Sequence, residues 1–82
     1  MADGTLAGKV KELIALGIAV AIHCEVCIAF HMHDALKVGA SRQEVLETVG
    51  VAVLIGGKPS VMYGAKALVA LDQFQVTATA KP

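Results

Sequence analysis

Eighty-two residues allow one domain at most, and a chain this short buries only about 60% of its unfolded surface by itself. Apolar residues make up 56% of it and charged residues 17%, against roughly 45–50% and about 25% in ordinary soluble chains. Seven basic side chains cancel seven acidic ones, and without a basic cluster or an aromatic platform a nucleic-acid surface is excluded.

The apolar surplus does not read as a membrane span. Leu13 to Ile22 is an unbroken apolar run of ten residues, whereas a spanning helix needs about 20. The start, Met1-Ala2-Asp3-Gly4, lacks the basic region of a signal peptide, so a cytoplasmic location is expected. The remaining sink for apolar surface is another copy of the chain, and a homo-oligomer whose interface completes the core is the expectation.

Taken in chain order, the pattern predicts four helices in a single domain over residues 1–82, an all-α bundle with no strand ladder. The first runs from about Thr5 to Ala21, with apolar residues at Leu6, Val10, Leu13, Ile14 and Ile18 at helical spacing. Beyond Leu13 it is apolar all round, so that half is expected to be buried on every side, with Glu12 at its border. After a break at Ile22 to Cys24, a second helix is expected from about Glu25 to Val38, stopped by Gly39 as a left-handed C-terminal residue. Ser41 and Glu44 form a capping box for a third helix, which runs through Val45, Leu46, Val49, Ala52 and Val53 to Gly56-Gly57. Pro59 fits the first position of a fourth helix, whose apolar face is read as Val61, Ala65, Leu68 and Leu71, with Thr77 to Pro82 as a fraying tail.

The chemistry lies in Glu12, Cys24, Cys27 and His31. At about 100° per residue the two cysteines and His31 project from one narrow arc of the second helix. Ala35 and Val38 continue that arc as an apolar floor, and His33 falls on the other side. A thiol at a helix N-terminus gains from unpaired N–H groups that favour the thiolate. His31, one turn beyond Cys27, can take the thiol proton and return it to a leaving oxygen. Glu12 can hold the other ring nitrogen, and a carboxylate among Gly8, Ala15, Leu16 and Ala19 requires such a partner. This is a dithiol site: a thiolate attacks a peroxide oxygen, becomes a sulfenic acid and is closed to a disulfide by its neighbour. No cofactor is needed. Cys27 is read as the attacking sulfur and Cys24 as the resolving one.

Two other functions are carried alongside. Zinc could be held by His23 with Cys24, Cys27 and His31, although no second Cys-x-x-Cys or His-x-His pair stands at finger spacing. A lyase could use Glu12 and His31 alone for proton transfer. Met32, Met62, Tyr63 and Phe74 are read as core or interface filling, and Lys9, Lys11, Arg42 and Glu47 as solvated faces.

The spacing Glu-x11-Cys-x2-Cys-x3-His, with the segments His23 to His31 and Gly50 to Gly57, resembles the AhpD-like alkylhydroperoxidase group of the carboxymuconolactone decarboxylase family. The resemblance runs from about Leu6 to Phe74. It implies an all-helical fold assembled as trimers, hexamers or related rings, with the dithiol near subunit contacts. It also implies peroxidase or disulfide reductase activity on a hydroperoxide or disulfide substrate, regenerated in some members by lipoyl groups or thioredoxin-like donors. Val26 stands where the best-studied AhpD proteins carry a second histidine, and the chain is close to the minimal core of the family. Decarboxylases of the family are not recognised by a cysteine pair, so the two thiols point to the redox branch.

Overall fold

The computed structural model describes the backbone of residues 1–80 and the side chains of residues 1–76. It consists of four helices, α1 (Gly8–Ala21), α2 (Glu25–Lys37), α3 (Arg42–Gly56) and α4 (Lys58–Ala80), with no strand among the described residues. The all-α expectation holds. α1 packs on α2 and α3, while α4 packs on α3, on α2 and more lightly on α1. The consecutive helices α2 and α3 do not pack on each other, so they occupy opposite sides of the bundle.

Each helix boundary has a local cause. α1 begins three residues later than its periodicity predicts, because Asp3 Oδ1 accepts the Gly8 N–H and Lys11 Nζ donates to the Ala2 carbonyl, folding residues 1–7 back against the helix start. Leu6 therefore lies outside the helix and is exposed. α2 ends in a Schellman motif: Ala40 N–H bonds the Ala35 carbonyl, Gly39 N–H bonds the Leu36 carbonyl, and Gly39 takes φ +96°. The capping box at α3 is present, with Ser41 Oγ accepting the Glu44 N–H at 3.0 Å and Glu44 Oε1 accepting the Ser41 N–H at 2.8 Å. Pro59 is the second residue of α4 rather than the first, a position whose N–H also has no partner inside the helix. α4 continues through Thr77 to Ala80, where a tail was expected; residues 81–82 lie outside the described residues.

The core is assembled from Leu16, Ala19 and Val20 of α1, Ile28, Met32 and Ala35 of α2, Val45, Val49 and Ala52 of α3, and Ala67 and Leu71 of α4. Each large side chain here contributes about 1.5–3 kcal/mol by leaving water. Small residues set the helix spacing: a Cβ on Gly64 would stand 2.8 Å from Val53 Cγ2, so glycine is what lets α4 lie against α3. The buried face of α4 is Ser60, Gly64, Ala67 and Leu71; of the face read from sequence Leu71 is buried and Leu68 half-buried, while Val61 and Ala65 turn outward.

The largest departure concerns α1. Its apolar half is not buried all round: Ile14 and Ile18 are 46% and 54% exposed, as is much of Ile22 beyond the helix end. Ile14 and Ile18 form, with Val51 and Ile55 of α3, the rim of an apolar groove of about 390 Å³ between the two helices. No described helix is long and apolar enough to cross a membrane.

Candidate active site

Cys24 is the N-cap of α2, and its Sγ accepts the backbone N–H of Cys27 at 3.3 Å. A cysteine at this position meets the unpaired donors of the helix start, an electropositive setting for sulfur. Cys24 and Cys27 are joined by a disulfide with their Cα atoms 5.2 Å apart, and both are half-buried. The spacing of three residues permits this closure within the first turn of α2.

One turn further along, His31 is also half-buried, and its Nδ1 lies 2.9 Å from Glu12 Oε1. A carboxylate only accepts hydrogen bonds. Nδ1 therefore carries the hydrogen, so that in the neutral ring the lone pair is on Nε2, the nitrogen left to exchange protons. Glu12 is 3% exposed, and its second oxygen accepts from the Met1 amino group at 3.2 Å. The buried carboxylate thus has a partner for each oxygen, as its burial requires. Sequence spacing placed all four residues together; the structure joins Cys24 to Cys27 at the start of α2 and Glu12 of α1 to His31 one turn further along α2. Of the apolar floor, Ala35 is buried, but Val38 is the exposed C-cap of α2.

Around this centre the charges are balanced. Glu25, beside Cys24, accepts a hydrogen bond from Lys66 of α4 at 2.5 Å, and this carboxylate contact raises the Lys66 ammonium above its usual range. His33 faces away from the thiols, as its place on the helix predicts, and pairs with Asp34 at 3.2 Å. Lys9 and Arg42 lie on exposed or half-exposed surfaces but have partners, Glu44 for the first and Asp72 with Gln75 for the second.

His23 does not join the sulfurs. Its Nε2 is hydrogen-bonded to Ser60 Oγ at 3.2 Å, and its ring stacks on Tyr63 with centroids 4.7 Å apart. The zinc arrangement needs His23, Cys24, Cys27 and His31 turned to one point; instead His23 reaches α4 and the sulfurs bond each other. Among the described residues no group of three or more His, Cys, Asp or Glu side chains is gathered in a way that could hold a metal ion. Sequence reasoning did not single out Ser60 and read Tyr63 as filling. One available signal was Gly56-Gly57: a Cβ on Gly56 would run into Ser60 Oγ, so the glycine makes room for that hydroxyl.

Comparison with known proteins places the fold in a family. The model of the carboxymuconolactone decarboxylase family matches residues 1–70. An uncharacterized protein from Cupriavidus necator is 41% identical over 70 residues, covering 85% of this chain and 62% of that protein. An uncharacterized protein of the cox locus of Paracoccus denitrificans is 33% identical over 72 residues, covering 88% and 65%. The chain thus spans somewhat less than two thirds of the length of these relatives. Among solved structures, an apo carboxymuconolactone decarboxylase family protein from Legionella pneumophila superposes with a TM-score of 0.85 at 52% identity, over 89% of this chain and 65% of that one. A family protein from Thermotoga maritima, for which involvement in an antioxidative response has been suggested, gives 0.92 at 27% identity, over 95% and 80%.

Proposed function

The chain belongs to the carboxymuconolactone decarboxylase family, and on that premise we propose that it is a thiol-dependent peroxidase and dithiol-disulfide oxidoreductase of the AhpD-like kind. The observation that carries this reading is the Cys24–Cys27 disulfide at the start of α2, one turn from a His31 ring held by buried Glu12. The suggested antioxidative role of the Thermotoga maritima relative supports it.

In the reduced chain, His31 Nε2 takes the Cys27 thiol proton. The thiolate attacks one oxygen of a hydroperoxide, so that an S–O bond forms as the O–O bond breaks, and the alkoxide leaves as an alcohol with the proton that His31 returns. The Cys24 thiol then displaces the sulfenic oxygen of Cys27, which departs as water, and the disulfide closes. Two electrons have passed from the thiols to the peroxide. A lipoyl or thioredoxin-like dithiol restores the pair by exchange at Cys27, with Cys24 as leaving thiolate, the sulfur that the Cys27 N–H stabilises. The chain acts as a homo-oligomer, in keeping with its exposed apolar side chains.

The test is to reduce the protein, add one equivalent of an alkyl hydroperoxide, and follow free thiols and intact mass. Loss of both thiols with the mass of two hydrogen atoms is the expected result. Persistence of both thiols overturns the proposal, and turnover surviving in a Cys24→Ser, Cys27→Ser double variant assigns the chain to lyase chemistry on Glu12 and His31.

A further inference from the structure

Two helices in this chain end in the same motif, and they differ at one residue. After α1, Cys24 N–H bonds the Ala19 carbonyl at 2.9 Å and His23 N–H bonds the Val20 carbonyl at 3.2 Å, with His23 at φ +64°. This is the Schellman pattern that ends α2, where the left-handed position is filled by Gly39. His23 is the one non-glycine residue at positive φ among the described residues. A side chain held there strains the backbone, and such strain persists where surrounding contacts over-determine it.

Those contacts are specific. The His23 ring stacks on Tyr63 at an interplanar angle of 13°, and Nε2 bonds Ser60 Oγ. Ser60 is 0% exposed and seated against Gly56, where an added Cβ would also stand 3.4 Å from the Ala21 Cα at the end of α1. The ends of α1 and α3 and the start of α4 therefore meet where the residue before Cys24 is fastened. Glycine would form the turn with less strain, but it would leave the turn unattached to α4.

We propose that His23, Ser60 and Tyr63 form a clasp that positions Cys24 and favours the closed disulfide over the open dithiol, with His23 a positioning residue of the redox pair. The inference rests on the dithiol reading of the site. Closing the disulfide fixes the Cys24 backbone relative to Cys27. The clasp restricts the same backbone beforehand, so the open form has less freedom to regain on reduction. By reciprocity the disulfide also strengthens the clasp. Reduction by an external dithiol breaks the Cys24–Cys27 bond, delivers two electrons and two protons to the pair, and leaves the reductant as its own disulfide. The clasp acts on the equilibrium constant of that exchange.

The experiment is equilibration of the whole chain with a dithiothreitol redox couple, followed by thiol alkylation and mass measurement, for the wild type and for His23→Gly, Ser60→Ala, Tyr63→Leu and Tyr63→Phe. His23→Gly keeps the left-handed turn with less backbone strain and removes the ring contacts of the clasp, and circular dichroism verifies that the chain folds. His23→Gly, Ser60→Ala and Tyr63→Leu are expected to shift the exchange about five-fold toward the dithiol, the factor that one net hydrogen bond or ring contact supplies. Tyr63→Phe, which keeps the stacked ring, is expected to titrate as the wild type. A His23→Gly equilibrium equal to the wild type overturns the clasp. If the wild type itself does not exchange with the couple, it is the dithiol reading that fails.

Discussion

Glu12 shows how burial decides the meaning of a single residue. In sequence it is the one acid of a helix whose other charges are Lys9 and Lys11; in the fold it is 3% exposed and bonded at both oxygens. In the proposed mechanism its charge serves His31 by fixing the hydrogen on Nδ1 and stabilising the imidazolium that forms when Nε2 takes the thiol proton. His31→Ala is expected to lower the rate constant of peroxide reduction by about 10²-fold or more, the usual contribution of a positioned acid-base group. Glu12→Gln keeps an acceptor oxygen but loses the charge, and a smaller loss is expected, measured as thiol consumption under excess hydroperoxide. Equal rates in Glu12→Gln and the wild type would show that the carboxylate only holds the fold. Glu12, Cys24, Cys27 and His31 could all be picked out from spacing, because both members of the pair and the histidine share one helix. The role of His23 could not, since its partners Ser60 and Tyr63 lie 37 and 40 residues away and only helix packing joins them.

At the level of the helix, termini were more legible than faces. The Ser41 capping box and the Gly39 stop are local chemistry, written in residues three or four apart, and both formed as read. The buried faces of α1 and α4 were misjudged because their sequences are apolar around most of the circumference, and the pattern then leaves the orientation open. What chose the orientation of α4 was its small residues, with Ser60, Gly64 and Ala67 inward so that the backbones approach. The α3 cap gives a pH-dependent expectation. The Ser41 N–H first, and the Lys9 ammonium second, hold the Glu44 carboxyl below its ordinary value of 4.5. A lowered folded value means that this contribution is complete above pH 4.5 and is lost as pH falls through the folded value. Thermal midpoints recorded down through this range should decline less steeply for Glu44→Gln than for the wild type. At neutral pH, Ser41→Ala should cost about 1 kcal/mol in denaturant unfolding.

For the whole molecule, composition and fold point the same way. Ile14, Ile18, Val51 and Ile55 border a groove lined almost entirely by carbon, and Leu54 and Ile22 are also exposed. The proposed homo-oligomer uses this α1–α3 face to bury what one copy leaves in water. Sedimentation velocity of the wild type should give a multiple of the chain mass of 8.4 kDa, and Ile18→Lys should move it toward the single-chain mass without loss of helix signal. A wild type that sediments as one chain would remove the oligomer. The sequence by itself determined the helices and their caps, and it singled out the four residues of the proposed redox site, because periods of three and four residues and an apolar-rich composition are local or summed properties. Only tertiary packing decided which side of α1 stays bare, that Glu12 meets His31, and that His23 is drawn to α4, because each depends on how separate helices approach, and that is set by small residues distributed over the whole chain.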